Sequence, residues 1–232
     1  MASDIKALFD RIAPVYDNLN QELSWGQHQV WKRMAVKWSR AKPGDAALDI
    51  CCGSGDLALL LAAIVGKTGR VVGVDFATAQ LAIAAQRGRD RAPDLNLTWL
   101  EGDALALPFD NATFDCATMG YGLRNVVDIP RCLQELHRVL KPGATAAILD
   151  FHRPTNPVLQ ALQQWYLDAI VVPTAARWGL KSDYAYIMPS LERFPQGPEQ
   201  VKLAQTVGFP HAIHYPIAGG LMGVLVVTKD LN

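Results

Sequence analysis

The chain has 232 residues, half of them hydrophobic and 19% charged, with 22 basic side chains against 22 acidic ones. Such a composition builds a globular core and leaves no basic surface for nucleic acid, whose phosphates demand one. No apolar run approaches the roughly 18–20 residues of a membrane span, and the acidic, amphipathic start MASDIKALFDRIAPVYD does not read as a secretory leader.

In chain order, residues 3 to 40 read as two helices around APVYDNLNQELSWG. The second covers about Gln27 to Trp38, with Val30, Trp31, Met34 and Trp38 at helical spacing. AKPGD punctuates the entry to a first strand, Ala46 to Ile50. A helix from Asp56 to Val65, the turn GKTG, the strand RVVGVD and a helix from Thr78 to Arg89 follow. NLTWLE and FDCATM are the third and fourth strands, Ile129 to Leu140 is a helix, and ATAAILD is a fifth strand after a KPG turn. This alternation predicts a parallel sheet, with ligands bound outside the carboxyl ends of the strands. Residues 151–198 loosen into helical, aromatic-rich sequence, read as an insertion. HAIHYPIAGGLMGVLVVTK closes the chain as a hairpin turning near Gly219 and Gly220. One domain is expected: lid helices over 1–42, a cofactor-binding core over 43–150, the insertion over 151–198, and a last helix and hairpin over 199–232. The cysteines, Cys51, Cys52, Cys116 and Cys132, form no C-x-x-C pair. Neither a metal site nor a disulfide framework is expected, and a reduced, cytoplasmic setting follows.

The candidate site begins at ALDICCGSGDLALLLA, an apolar strand that enters a glycine turn and leaves as a helix. Gly53, Ser54 and Gly55 satisfy the dinucleotide pattern G-x-G-x-x-G/A, so NAD is one reading. Against it, Asp56 follows the turn and Asp49 precedes it. Two carboxylates repel a pyrophosphate and suit a cation without phosphate. S-Adenosylmethionine, with its sulfonium and ammonium charges, is such a cofactor; the plainer role of Asp56 is a helix cap. Asp75, followed by Phe76, closes the second strand 22 residues after Gly53, where a carboxylate can accept ribose hydroxyls. After the third strand, Asp103 can bond an adenine amino group and Ala104 offers its amide.

These acid-bearing loops at successive strand ends resemble class I S-adenosylmethionine-dependent methyltransferases. YDNLNQELSWGQHQVWKR, GDALALPFDNATFD, MGYGLRNVVD and RVLKPG further resemble the ubiquinone/menaquinone biosynthesis C-methyltransferases, from about Phe9 to Lys229. Cys51-Cys52, ILDF, VVP and HYPIAGGLMG are similar to the cyanobacterial and plastid branch, which methylates 2-phytyl-1,4-naphthoquinone on the way to phylloquinone. The alternative acceptors are a demethylmenaquinol or a benzoquinol. The resemblance implies an α/β fold with a seven-stranded, mostly parallel sheet, helices on both faces, an N-terminal helical lid and a helical insertion before the last two strands. It carries cofactor contacts onto Ser54, Asp75, Asp103, Ala104 and Gly120, where other members carry Ser and only backbone can serve. The partner it implies is a lipid-soluble prenylated quinol, with peripheral contact to the membrane that holds it.

A quinol carbon ortho to a hydroxyl attacks the sulfonium methyl once the phenolic proton is partly removed. Arg124, past the fourth strand, is the expected stabiliser of phenolate character, with Asn125 orienting the same oxygen. The plainer role of Arg124 is a salt bridge to a strand-end acid. Tyr16 and Asp17 on the lid are placed to shut the site and touch the quinol or the donor, Tyr16 as a catalytic candidate, or else mark a helix boundary with Tyr16 as packing. His152 is a candidate general base or a polar loop residue. Trp165, Tyr166, Ile170, Val171, Val172, Trp178, Tyr184 and Tyr186 form either a channel for the phytyl tail or an ordinary core face.

Overall fold

The computed structural model describes residues 2–231, the side chains of 2–5 and 16 excepted. Seven strands form one sheet: β1 Ala46–Ile50, β2 Arg70–Asp75, β3 Leu97–Glu101, β4 Phe114–Gly120, β5 Leu140–Phe151, β6 His211–Ile217 and β7 Met222–Thr228. Their order is β3-β2-β1-β4-β5-β7-β6. The first five pair in parallel, and β7 lies antiparallel between β5 and β6. The expected closing hairpin is therefore present. Chain order reverses between β1 and β4, and the loops leaving their carboxyl ends part there into a crevice.

Strand alternation divides the interior. Leu48 and Ile50 of β1 enter one core with α5 (Ile129–Val139) and α10 (Gly197–Thr206). Ala47 enters the other with α2 (Gln27–Trp38) and α3 (Asp56–Val65). A third core lies away from the sheet: Leu8, Ile12 and Leu19 of α1 (Ala2–Leu23) pack on Leu167, Val171, Tyr184, Ile187 and Leu191. The insertion is α6 (Pro157–Tyr166), a π turn over Leu167–Val171, and the short helices α7 (Val172–Ala176), α8 (Lys181–Ala185) and α9 (Ile187–Arg193).

Three boundaries differ from expectation. α1 runs unbroken through Pro14 to Leu23, so residues 13–23 are helix rather than connection. An interior proline costs roughly 3 kcal/mol; burial of Ile12, Ala13 and Leu19 offsets it. The chain then reverses at Trp25 and Gly26, both with positive φ. KPG is a bulge rather than a turn, since Leu140 already pairs with Phe114 and the ladder resumes at Thr145 with Cys116. Finally, α4 (Thr78–Arg91) extends two residues past the expected end.

Candidate active site

The turn after β1 reverses through left-handed backbone at Cys51, Gly53 and Gly55. Gly53 donates its N–H to Asp75 Oδ2 at 2.8 Å, and Ala77 donates to Oδ1 at 2.8 Å. The carboxylate of Asp75 thus joins the glycine turn to the start of α4 while each oxygen keeps a lone pair. Burial raises its pKa, opposed by backbone N–H groups of Ala77, Gly53 and Phe76.

Above this turn is a cavity of about 180 Å³. Gly53, Ser54, Asp75, Phe76, Asp103, Ala104 and Gly120 all line it. Asp103 accepts from the Leu105 N–H at 2.9 Å, which fixes the loop after β3. A Cβ on Gly120 would meet Leu57 Cδ1 at 2.7 Å, so the bare backbone keeps that wall open.

Two candidates fall elsewhere. Asp49 is fully buried and off the cavity wall, accepting from Thr118 Oγ1 at 2.8 Å and the Ala58 N–H at 3.0 Å. It pairs in register with Thr118, so alternation holds its side chain beneath the turn, where burial pushes its carboxyl up to about 7. Gly55 also turns away: a Cβ there would lie 2.6 Å from the Trp99 ring, so its bareness serves helix-to-strand packing.

Asp56 reaches the cavity but not as a bare charge. Lys32 Nζ lies 2.6 Å from Oδ2, and Arg87 grips Oδ1. Arg87 also donates to Ser54 and to Asp17 at 2.9 Å, and Ser54 Oγ donates to Asp17 Oδ1 at 2.7 Å. Two carboxylates and two cations thus balance over the turn, and α1 is bonded to it through Asp17. The expectation that Asp56 offers free negative charge to a cationic ligand is corrected. Its conclusion stands on another ground: the cations beside the turn are committed to acids, leaving none for a pyrophosphate. An adenosine with a small cationic tail fits these residues.

A second, apolar cavity of about 470 Å³ lies beside the first. α1, α2 and the insertion wall it, and Phe9 and Tyr121 line both cavities. Tyr166, Val171, Tyr184 and Tyr186 are on its wall; Trp165, Ile170, Val172 and Trp178 are not. Trp165 and Trp178 are instead 57% and 54% exposed. The channel expectation is therefore corrected for those four, whose side of the insertion faces outward.

Arg124 lines the larger cavity and Asn125 the smaller. Arg124 Nε lies 3.6 Å from Asp150 Oδ1, and the guanidinium stacks 5.3 Å from the Phe151 ring and 5.9 Å from that of Tyr186. Cavity wall and strand-end salt bridge, posed as alternatives from sequence, coexist. Asn125 donates to Tyr121 O at 2.9 Å and accepts from Tyr186 Oη at 2.8 Å, tying the fourth-strand loop to the insertion. Tyr16 falls on α1, and its side chain lies outside the described residues.

His152 lines neither cavity. Its Nε2 sits 3.1 Å from His214 Nε2 and 3.3 Å from Gln200 Nε2, and burial with the neighbouring His214 lowers its pKa to about 3. The general-base expectation is corrected, because β5 points this ring behind the site. Sequence reasoning also missed Phe9, His28, Lys32 and Arg87. Their only signal is helical spacing, and their partners are distant in the chain.

A model of the ubiE/COQ5 methyltransferase family matches residues 2–229. A 2-phytyl-1,4-naphthoquinone methyltransferase of Nostoc sp. is 63% identical, covering 99% of this chain and 100% of its own. The chloroplastic enzyme of that name from Arabidopsis thaliana is 51% identical, with coverage of 98% and 88%. Among solved structures, an S-adenosylmethionine-dependent methyltransferase from Thermotoga maritima superposes with a TM-score of 0.67 at 20% identity, covering 97% of this chain and 99% of that one. Another from Aquifex aeolicus gives 0.65 at 17%, with 91% and 97% covered. At those identities the likeness shows the fold, the class I one expected.

Proposed function

The chain belongs to the ubiE/COQ5 methyltransferase family, and from that premise we propose that it methylates the reduced ring of 2-phytyl-1,4-naphthoquinone, giving phylloquinone. The observation that carries this is the meeting of the two cavities at Phe9 and Tyr121. A cradle with Asp75 and Asp103 on its wall, for an adenosine, opens onto a more apolar chamber for a prenylated ring. When bound, S-adenosylmethionine supplies an electrophilic methyl group. Asp75 and Asp103 hold the ribose and adenine, and Gly53, Ser54, Phe76, Ala104 and Gly120 shape the cradle. Arg124 stabilises charge on a quinol oxygen while Asn125 fixes the loop that presents it. α1, bonded down through Asp17, keeps water from the reacting carbon.

Among the described residues, no helix is long and apolar enough to cross a membrane. α6 nevertheless turns Val158, Leu162 and Trp165 outward, spaced four and three residues apart on one helix face. Leu162 also lines the larger cavity, as does Trp25, which is 87% exposed. This apolar rim is the contact surface for the bilayer that dissolves the quinol.

The test is transfer from methyl-labelled S-adenosylmethionine to chemically reduced phytylnaphthoquinol, with a demethylated benzoquinol alongside. Label on the naphthoquinol ring supports the reading. Preference for the benzoquinol overturns the acceptor while keeping the donor site.

A further inference from the structure

Methylation of a quinol carbon requires the neighbouring hydroxyl to lose its proton, and His152 is turned away from both cavities. Of the five histidines, His28 alone lines either one. It sits on α2, 6% exposed, in the wall of the larger cavity.

Its ring is oriented by α1. His28 Nε2 lies 3.1 Å from Gln21 Oε1, and Gln29 Nε2 donates to the same oxygen at 3.1 Å. An oxygen that accepts from Gln29 is an acceptor for the imidazole as well. The neutral ring therefore carries its proton on Nε2 and its lone pair on Nδ1. Nδ1 is buried and has no protein partner. His28 lines the cavity, and an unpartnered buried acceptor on such a residue calls for a ligand hydroxyl.

The ring is also near where the cavities meet. Lys32, four residues and about 6 Å of helix rise further on, lines the smaller cavity. Its ammonium lies 5.7 Å from the Tyr121 ring, which walls both.

We propose that His28 is the catalytic base of the transfer, its Nδ1 taking the proton of the quinol hydroxyl next to the attacking carbon, with Gln21 as the positioning residue. The inference rests on the quinol reading above. The O–H pair moves into the ring as the proton passes to Nδ1, and the ortho carbon forms the new C–C bond. The S–CH3 bond breaks with its pair going to sulfur, leaving S-adenosylhomocysteine. The methylated carbon then gives its remaining hydrogen to water as a proton while the carbonyl oxygen takes one back from His28, which restores the aromatic quinol and releases one proton to solvent per turnover. Burial and the nearby Lys32 lower the pKa of the imidazole, against Asp56 of α3 and Asp17 of α1, which raise it. The neutral, proton-accepting form is thereby favoured.

His28→Gln and His28→Ala should lose about 10²–10⁴-fold in kcat. The dissociation constant for S-adenosylhomocysteine should stay within twofold of the wild type, which also reports folding, and the acid limb of the kcat–pH profile should vanish. On the wild-type protein, histidine 15N NMR should show Nε2 protonated and Nδ1 bare. Phytylnaphthoquinol added without donor should shift the Nδ1 signal. Variants that retain wild-type kcat with the acid limb intact overturn the proposal, as does a free ring protonated on Nδ1. A wild-type protein inert toward the naphthoquinol overturns the acceptor reading, and the proposal with it.

Discussion

Arg124 and Asp150 allow fold and chemistry to be separated by experiment. Their side chains are 6% and 1% exposed, with Nε and Oδ1 3.6 Å apart. Burial pushes the Asp150 carboxyl up, and the Arg124 charge opposes that shift most. Arg124→Ala leaves this carboxylate buried without its cation. Removing one side of a buried pair costs about 3–5 kcal/mol. The lower end applies here, because the separation is long and the Arg124 and Phe151 N–H groups still serve the carboxylate at 3.0 and 2.8 Å. At about 2–4 °C per kcal/mol for a chain of this size, Tm should fall by about 6–12 °C. Adding Asp150→Asn removes the stranded charge and should restore most of that loss. Turnover should behave differently, staying down about 10²–10³-fold in both the single and the double variant. Binding of S-adenosylhomocysteine should change less than threefold, since Arg124 lines only the larger cavity. Differential scanning fluorimetry and initial rates with labelled donor read the two effects. A double variant that regains turnover along with its Tm would refute the electrostatic role and leave Arg124 a purely structural cation.

Asp75→Asn should weaken S-adenosylhomocysteine binding about 10–100-fold by calorimetry, because an amide supplies one acceptor oxygen where Gly53 and Ala77 each engage one. A constant within twofold of the wild type would remove Asp75 from the site. Gly55→Ala combines a φ of +87° with a Cβ 2.6 Å from Trp99 and should cost about 2–4 kcal/mol in urea unfolding; an unchanged midpoint would contradict that packing. Burial pushes Asp56 up, but Lys32 and Arg87 together bring it down to about 2 from 3.8. The unfolded chain therefore holds this proton more tightly than the native state does. The resulting stability, about 2 kcal/mol, is present above pH 4 and lost as pH falls toward 2. Urea midpoints should drop more steeply over that range in the wild type than in Asp56→Asn. Trp25→Ala/Trp165→Ala should cut flotation with phosphatidylcholine vesicles severalfold while transfer to a short-chain, detergent-dispersed quinol persists; equal flotation would place the membrane contact elsewhere.

The strands and their ends are legible because they are local. Short, largely apolar runs bounded by Gly, Pro and Asp signal β1 to β4, and glycines before an apolar helix mark the cofactor turn. What escapes depends on partners far along the chain. Pro14 is a breaker by its own chemistry, and α1 passes through it only because residues 167–191 supply an apolar surface. Leu140 looks like the end of a helix until its ladder with Phe114 is visible. Asp49 and Asp75 look alike as strand-end acids. Asp49, one residue short of its strand end, bonds Thr118 across the ladder, whereas Asp75, at the very end of β2, faces the cavity. Asp56 looks uncompensated because Arg87 is 31 residues away on another helix. His28, between two glutamines, has the local pattern of a surface position. Only the approach of α1 buries it.

The third core has a consequence for biosynthesis. Arg11 and its partner Asp183 are separated by 172 residues, and the buried apolar partners of Leu8, Ile12 and Leu19 begin at Leu167. At about 5–20 residues per second, translation leaves the nascent α1 without its natural cover for about 10–30 s. The sheet from β1 to β4 can condense in that interval, its strands being contiguous, while an amphipathic helix waits at the N-terminus with its apolar stripe bare. Chaperone demand and aggregation during expression should therefore concentrate in the first 23 residues.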